Sequence, residues 1–576
     1  MGVTLPIRRG AWNAHGHPDL RDGSPRADDG PTGAHVEVLD VTAHAGDVEL
    51  LHRICLSIRP GELVALVGGS GAGKTTLLET MAGLRRATSG TITYDGRSAL
   101  LPAGDIGYVP QDDIIHRALP LRRTLRYAAR LRLPVATARE EVDRIVDETL
   151  RDLELADRGD VTVGDLSGGQ RKRASIAVEL LTRPRILFLD EPTSGLDPAT
   201  SADVLRLLRR LADRGVTVVL TTHHPAEIDA CDRVVFLAGQ GPLAFAGTPD
   251  DARRYFEVTD LAHAYQHLAR EDTPRQWAER FAGDESAAFE RPPADSPVPL
   301  IPSPPRAGPL RQGALLAQRS ADILVRGRLT LAVLVGSPVL VISMMAVLFG
   351  RGGFERIGPG SVGPVQTVFW MAFAGFFFGL TYGLLQIVTE LSVLRRERFA
   401  GMSVVAYLGS KFAVLLPLLA VVDLAMLAAL RTLDRLPDAD LHTYGLLYVT
   451  LLIESLCALA LGLLTSAAVA DAAQATLALP MLCFPQVLFA GAVVPVAEMA
   501  GAGQVISVAM ANRWAFEALG GGLHLDALDA RATAIAAYSD AFAGSVLTAC
   551  VVLALLGLLF TVAAAGMLAF RTHTRS

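Results

Sequence analysis

Cysteine is scarce in this sequence, and none of it is paired by spacing. Five cysteines occur in 576 residues: Cys55, Cys231, Cys457, Cys483 and Cys550. No two stand as C-x-x-C, which argues against a zinc site or a dithiol redox motif. Cys457, Cys483 and Cys550 lie inside apolar runs, where cysteine acts as a small buried hydrophobe. An apolar leader is also missing. Residues 1–34 are rich in Gly, Asp, Arg, His and Pro. They read as a disordered tail, not a secretory signal, so the domain that follows is expected in the cytosol. Excess positive charge is missing too. The formal net charge is −6, and no basic stripe is present, so no nucleic-acid partner is expected. The local cluster Arg122, Arg123, Arg126, Arg130 and Arg132 is followed by acids from Glu140, and reads as a solvated helix surface.

Charged residues make up only 19% of the chain and hydrophobic ones 51%. That balance hides two unlike halves. Up to about Pro309 the chain is rich in Arg, Asp and Glu; beyond Leu329 it becomes a series of long apolar runs. The expected organisation is a tail over 1–34, a soluble domain over 35–258, a proline-rich linker over 259–309 and a membrane domain over 310–576. A membrane helix needs about 20 mainly apolar residues. Six spans are expected, near Leu329–Phe349, Val365–Val388, Val404–Leu430, Tyr444–Ala467, Ala475–Val494 and Gly544–Met567. Pro480, Pro485 and Pro495 predict a kinked or re-entrant fifth span. Before the first span, Leu310 to Arg328 has helical spacing, and its arginines suit a helix on an anionic membrane surface.

The first domain alternates strand and helix patterns. Val36–Val41, Glu49–Ile58, Leu63–Val67, Ile186–Leu189 and Val216–Leu220 read as strands. Helical patterns cover Ala138–Leu153, with Thr137 as its expected N-cap and Glu140 at capping-box spacing, and Pro198–Arg214. Val234–Leu237 and Leu243–Ala246 form an expected hairpin. Alternation of this kind implies a mostly parallel sheet.

Three motifs carry the chemistry. The first, Gly68-Gly69-Ser70-Gly71-Ala72-Gly73-Lys74-Thr75-Thr76, satisfies G-x-x-x-x-G-K-[ST] between a strand and a helix. Its glycines let backbone N–H groups curl around phosphate oxygens, and the next helix aims its positive end at the same anion. Lys74 would hold the β- and γ-phosphates of ATP, and Thr75 would offer its hydroxyl to Mg²⁺. The second, Ile186-Leu187-Phe188-Leu189-Asp190-Glu191, is an apolar strand ending in two acids. Asp190 would hold Mg²⁺ through water, and Glu191 would polarise the attacking water. The third, Leu166-Ser167-Gly168-Gly169-Gln170, is another glycine turn at a helix N-terminus, hence a second phosphate cradle.

Together these motifs resemble those of ABC transporter ATPases. The resemblance implies a P-loop NTPase α/β domain followed by an all-α six-helix transmembrane domain. It implies ATP hydrolysis, and a dimer in which each LSGGQ covers the γ-phosphate on the partner's P-loop. Gln111 is similar to the Q-loop glutamine that contacts Mg²⁺. Ser194-Gly195-Leu196-Asp197 resembles the D-loop, and His223 the switch histidine; His224 reads as a solvated neighbour. Around Ala43-His44 the aromatic that most relatives stack on adenine is missing, and His44 is the available substitute. The order of domains resembles the G subfamily of White-type half-transporters, as do YVPQDDIIHRALPLRRTLRYAARLRLP from Tyr108, SGGQRKRASIAVELL from Ser167, Glu390 to Lys411, and Asn512 to Glu517. The implied protein is a multi-pass exporter of lipophilic or amphipathic cargo in the plasma membrane, paired with an identical or different half-transporter. The same motifs would serve a membrane-anchored regulatory ATPase that moves no solute.

Few charges lie within the spans. Asp423 and Glu454 are the clearest, and stand either as substrate contacts or as packing pairs. Arg395, Arg396 and Arg398 follow the second span. They read either as couplers of ATPase closure to helix motion or as topology anchors.

Overall fold

The computed structural model describes residues 33–97, 101, 104–239, 241–270, 274–282, 307–355, 362–527 and 533–572. Nearly all of the expected N-terminal tail, and the proline-rich run 283–306, lie outside them.

The first domain runs β1 (Val36–Ala45), β2 (Val48–Ile58), β3 (Leu63–Gly68), α1 (Lys74–Met81), β4 (Ser89–Tyr94), β5 (Ile106–Val109), α2 (Leu121–Arg132) and α3 (Arg139–Asp152). It continues with α4 (Gly168–Leu180), β6 (Ile186–Leu189), α5 (Pro198–Asp213), β7 (Thr217–Thr222), α6 (Pro225–Ile228), β8 (Arg233–Leu237), β9 (Leu243–Gly247) and α7 (Pro249–Tyr255). The main sheet has the order β5-β6-β7-β3-β8-β9, parallel except for β9. Its inner strands β3, β6 and β7 are buried along their whole length, as the continuous apolar runs require of a sheet covered on both faces. A second, antiparallel sheet has the order β2-β1-β4.

Two local expectations fail. The cap of α3 is Ala138, with no side-chain hydrogen bond, so Thr137 does not form the expected capping box. The span expected to open the linker instead folds into α8 (Leu261–Arg270) and α9 (Pro274–Ala282). Leu261, Ala264, Trp277 and Phe281 join the core of the first domain. Trp277 and Phe281 meet the rings of Tyr255 and Phe256, so apolar burial outweighs the turn-forming composition around them.

The helical half contains α10 (Pro309–Arg326), α11 (Arg328–Leu348), α12 (Gly363–Leu384), α13 (Leu391–Phe399), α14 (Val404–Thr432), α15 (Leu441–Ala468) and α16 (Ala472–Leu488). It ends with α17 (Gly501–Val508), α18 (Ala511–Gly522), α19 (Thr533–Ala536), α20 (Ser539–Phe542) and α21 (Val546–Thr572). Among the described residues five helical stretches are long and apolar enough to cross a membrane: Thr330–Leu348, Gly363–Phe399, Val404–Thr432, Leu441–Ala468 and Val546–Thr572. The fifth expected span differs. α16 has 17 residues, with Pro480 and Pro485 inside it. At 1.5 Å per residue it reaches about 25 Å, short of the roughly 30 Å hydrocarbon core. Beyond it, Asn512 of α18 bonds back to Gln486, with its N–H 2.9 Å from Oε1.

α12 and α15 form the tightest contact of the bundle. A Cβ at Gly379 would overlap the carbonyl of Ser455, and one at Gly383 would lie 2.6 Å from that of Leu459. The glycines therefore let the two backbones touch. Leucine and valine side chains on the outer faces of α11, α16 and α21 remain exposed, as lipid contact requires.

In α10 one arginine expected at the membrane surface is turned away from it. Arg319 points inward, 4% exposed, and makes a two-pronged ion pair with Glu397 of α13. The helix packs on α14 and on α2 of the first domain. Arg123 of α2 lies 2.9 Å from Asp322 of α10. The arginine face of α2 is thus only partly solvated: Arg122 and Arg126 pair with Asp147 and Asp143 of α3, and Arg132 is buried.

Candidate functional site

Strand register gathers the motif residues. Val67 of β3 pairs with Thr222 of β7, Leu220 of β7 with Leu189 of β6, and Leu189 with Val109 of β5. The residues that follow these strand ends therefore share one edge: the glycine loop, Asp190 and Glu191, His223, and Gln111. Ligands of open parallel sheets bind outside that edge.

The glycine loop walls a cleft of about 440 Å³, lined by residues 68–76 with Leu50, Glu191 and His223. Gly73 precedes α1 in the left-handed region, with φ 87°, and a Cβ there would lie 2.6 Å from the Leu50 carbonyl. Glycine is required at that point on both counts. The Lys74 ammonium donates to the carbonyls of Gly68 at 2.9 Å and Gly69 at 3.0 Å. Burial pushes its pKa below the ordinary lysine value, against the pull of Glu191 and Asp190.

The acids form a connected set. Asp190 is 5% exposed. Thr75 Oγ1 lies 3.1 and 3.0 Å from its two oxygens, and Thr221 Oγ1 donates to Oδ1 at 2.6 Å. The same Thr221 oxygen accepts the Glu191 N–H at 2.8 Å. Glu191 itself sits at φ 42°, an uncommon backbone for a residue with a Cβ, so it is held there by its surroundings. Gln111 donates to Glu191 Oε2 at 3.0 Å, and His223 Nδ1 lies 3.6 Å from Oε1. Glu191 is thus flanked by both residues that the sequence places near it. The His224 ring lies tilted against His223, centroids 4.1 Å apart, without joining this set. His44 contacts Thr88 at 3.2 Å and does not line the cleft.

Residues 167–170 are not brought to the cleft of their own chain. Ser167 is the N-cap of α4, forms a capping box with Gln170, and is exposed. Asp197 caps α5 through the N–H groups of Ala199 and Thr200.

One buried stripe escaped the motif reading. Lys172, Ser175 and Glu179 recur on α4 at helical spacing and are all buried. Lys172 donates to the carbonyl of Gln111 at 2.8 Å. Glu179 accepts from Arg132 at 2.9 Å and from Arg396 of α13 at 2.5 Å. Arg396 also donates to the carbonyls of Ile114 at 2.7 Å and Ser175 at 2.8 Å. Burial pushes the Glu179 carboxyl up, but the two arginines outweigh it and hold it below the ordinary value. Beside this junction His116 has an enclosed Nε2 without a hydrogen-bond partner among the described residues, and burial pushes its imidazole down to about 4. Arg395 and Arg398 bond to backbone carbonyls of the helical half, at Arg571 and Met402. Arg396 bridges the two halves. A repeated polar position on an otherwise apolar helix face was the available signal.

Comparison with known proteins agrees with this geometry. Residues 51–194 match the family described as ABC transporter, and residues 311–523 the family described as ABC-2 type transporter. The chain is 34% identical over 489 residues to the ABC transporter ATP-binding/permease protein Rv1747 of Mycobacterium tuberculosis, covering 82% of this chain and 56% of that protein. It is 39% identical over 206 residues to ABC transporter G family member 13 of Arabidopsis thaliana, covering 34% of this chain and 30% of that one. With G family member 15 of Dictyostelium discoideum the identity is 36% over 233 residues, 38% of this chain and 16% of that protein. The aligned regions thus span little more than half of the first relative and less than a third of these two. The chain belongs to the ABC transporters, with an ATPase domain of that family ahead of an ABC-2 type membrane domain, and is homologous to the G family half-transporters.

Proposed function

We propose that this chain is half of an ATP-driven exporter that works as a dimer in the plasma membrane and moves a lipophilic or amphipathic substrate. One observation carries the dimer: the second phosphate cradle, Ser167 to Gln170, lies outside the cleft of its own chain, with Ser167 exposed. A cradle so placed serves a nucleotide bound by another subunit. The partner is a second copy or a related half-transporter.

In this reading residues 68–76 and Lys74 grip the phosphates of ATP on one subunit, and Ser167, Gly168, Gly169 and Gln170 of the other close over them. The oxygens of Thr75, Asp190 and Gln111 suit a hard cation, and would hold Mg²⁺, which when bound offsets phosphate charge. The pairing of Thr75 with Asp190 supports that fit. Glu191 orients the attacking water and takes its proton. His223, 3.6 Å from Glu191, contacts the γ-phosphate side of the cleft. Arg396 carries closure of the ATPase domains to the membrane helices, because it bonds to both the segment after Gln111 and α4. The exposed apolar faces of α11, α16 and α21 support embedding in a bilayer.

Glu191→Gln should abolish ATP turnover while nucleotide binding survives, and Lys74→Ala should weaken binding. Uptake of candidate lipids and amphiphiles into inside-out vesicles should follow turnover. Turnover by Glu191→Gln equal to wild type would refute the assigned base. ATP-independent uptake, or none with any amphiphile, would refute the exporter.

A further inference from the structure

Asp423 of α14 and Glu454 of α15 lie in the middle of the helical bundle, both 0% exposed. Three of their four carboxyl oxygens, Asp423 Oδ2 and both oxygens of Glu454, are enclosed and have no hydrogen-bond partner among the described residues. The fourth, Asp423 Oδ1, lies 3.2 Å from Ser455 Oγ. That hydroxyl also lies 3.1 Å from the carbonyl oxygen of Gly375 in α12. A hydroxyl has one hydrogen, and the Gly375 carbonyl can only accept. That single hydrogen is either shared between the two acceptors, or goes to Gly375 while a protonated Asp423 donates to Ser455. The three enclosed oxygens that no donor among the described residues reaches suit carboxylic acids better than carboxylates.

Charge leads to the same place. A buried carboxylate without a cation costs several kcal/mol even after relaxation. Among the described residues the packed helices bring no cation to the pair. α12 and α16 carry no charged residue. On α14, Lys411 is 12 residues from Asp423, about 18 Å along the helix, and is paired with Glu390. Arg431 is paired with Asp438, and Arg513 of α18 with Glu517. Arg571 of α21 bonds to the carbonyls of Ala467 and Val469, at the far end of α15. His442 lies 12 residues before Glu454, again about 18 Å away. The titratable neighbours are Tyr382, whose hydroxyl donates to the Leu334 carbonyl, and Cys457, one turn from Glu454. Neither can neutralise an acid.

We infer that Asp423 and Glu454 form a proton-binding site sealed in the membrane domain. The protons come from water when α12, α14 and α15 are apart, and are trapped when Gly375 and Gly379 close against α15. Parting these helices wets the pair and lets the protons leave, which links the helix arrangement to pH. This inference is independent of the ATP site.

Infrared spectroscopy of the purified full chain in lipid nanodiscs tests it. At neutral pH the wild type should show the carbonyl stretch of protonated carboxylic acids, exchanging slowly in D₂O. Asp423→Asn and Glu454→Gln should each remove part of that absorption. Growth with ¹³C-carboxyl aspartate and glutamate should shift it, and needs no substitution, so it decides the matter if a variant misfolds. Absence of any label-sensitive band, its survival in both variants, or its rapid exchange would overturn the assignment.

Discussion

Arg396→Ala is the substitution with the most direct consequence for communication between the two halves. It deletes a guanidinium that is 7% exposed and that bonds to Glu179 at 2.5 Å, to the Ile114 carbonyl at 2.7 Å and to the Ser175 carbonyl at 2.8 Å. Breaking a buried ion pair from one side costs about 3–5 kcal/mol. Glu179 keeps Arg132 at 2.9 Å, so the low end, about 3 kcal/mol, applies. That is roughly a hundredfold shift in the open population of the junction. Hydrogen exchange in peptides covering residues 112–118 and α13 reads it directly. Protection there should fall by about two orders of magnitude, while peptides of β3 and α1 keep theirs. Arg396→Lys should fall between, because one ammonium cannot reach all three acceptors. Unchanged protection in Arg396→Ala would show that the junction is held elsewhere.

Two further outcomes follow from particular contacts. Burial holds the His116 imidazole down to about 4, below the free value near 6.5, so the packed form is the neutral one. Its contribution is complete above pH ~6.5 and is lost as pH falls from there toward ~4, by up to about 3 kcal/mol. The thermal midpoint of wild type should therefore drop more between pH ~7 and ~5 than that of His116→Gln; equal drops would count against a buried neutral histidine. At Gly379 a methyl group would overlap the Ser455 carbonyl, so Gly379→Ala should force α12 from α15 and cost about 1–3 kcal/mol. A lower thermal midpoint checks this, and an unchanged one would mean that the helices are not in backbone contact.

The nucleotide cleft was legible because its chemistry is local. Gly73 must adopt a left-handed backbone and Lys74 must follow it, so spacing alone marks the loop, and an apolar strand ending in Asp190 and Glu191 marks the opposite wall. Ion pairs between distant segments leave no such trace. Arg319 lies on an amphipathic helix, and periodicity tells which face is polar but not that Glu397, 78 residues away, covers it. The same holds for Glu179 and Arg396, separated by 217 residues. α8 and α9 were hidden because Trp277 and Phe281 find their partners, Tyr255 and Phe256, only once the sheet has formed. The fifth span is shorter than expected because residues beyond Leu488 are apolar without continuing the helix.

The central claim, that each ATP is held by Lys74 of one subunit and Ser167 of its mate, is tested most directly by mixing subunits. Dimers joining a Lys74→Ala subunit to a Ser167→Phe subunit keep one intact site if the sites are shared, and should retain ATPase activity. Dimers joining wild type to a subunit with both substitutions should then have none. The reverse pattern, activity only in the second mixture, would mean that each chain completes its own site and would contradict the account.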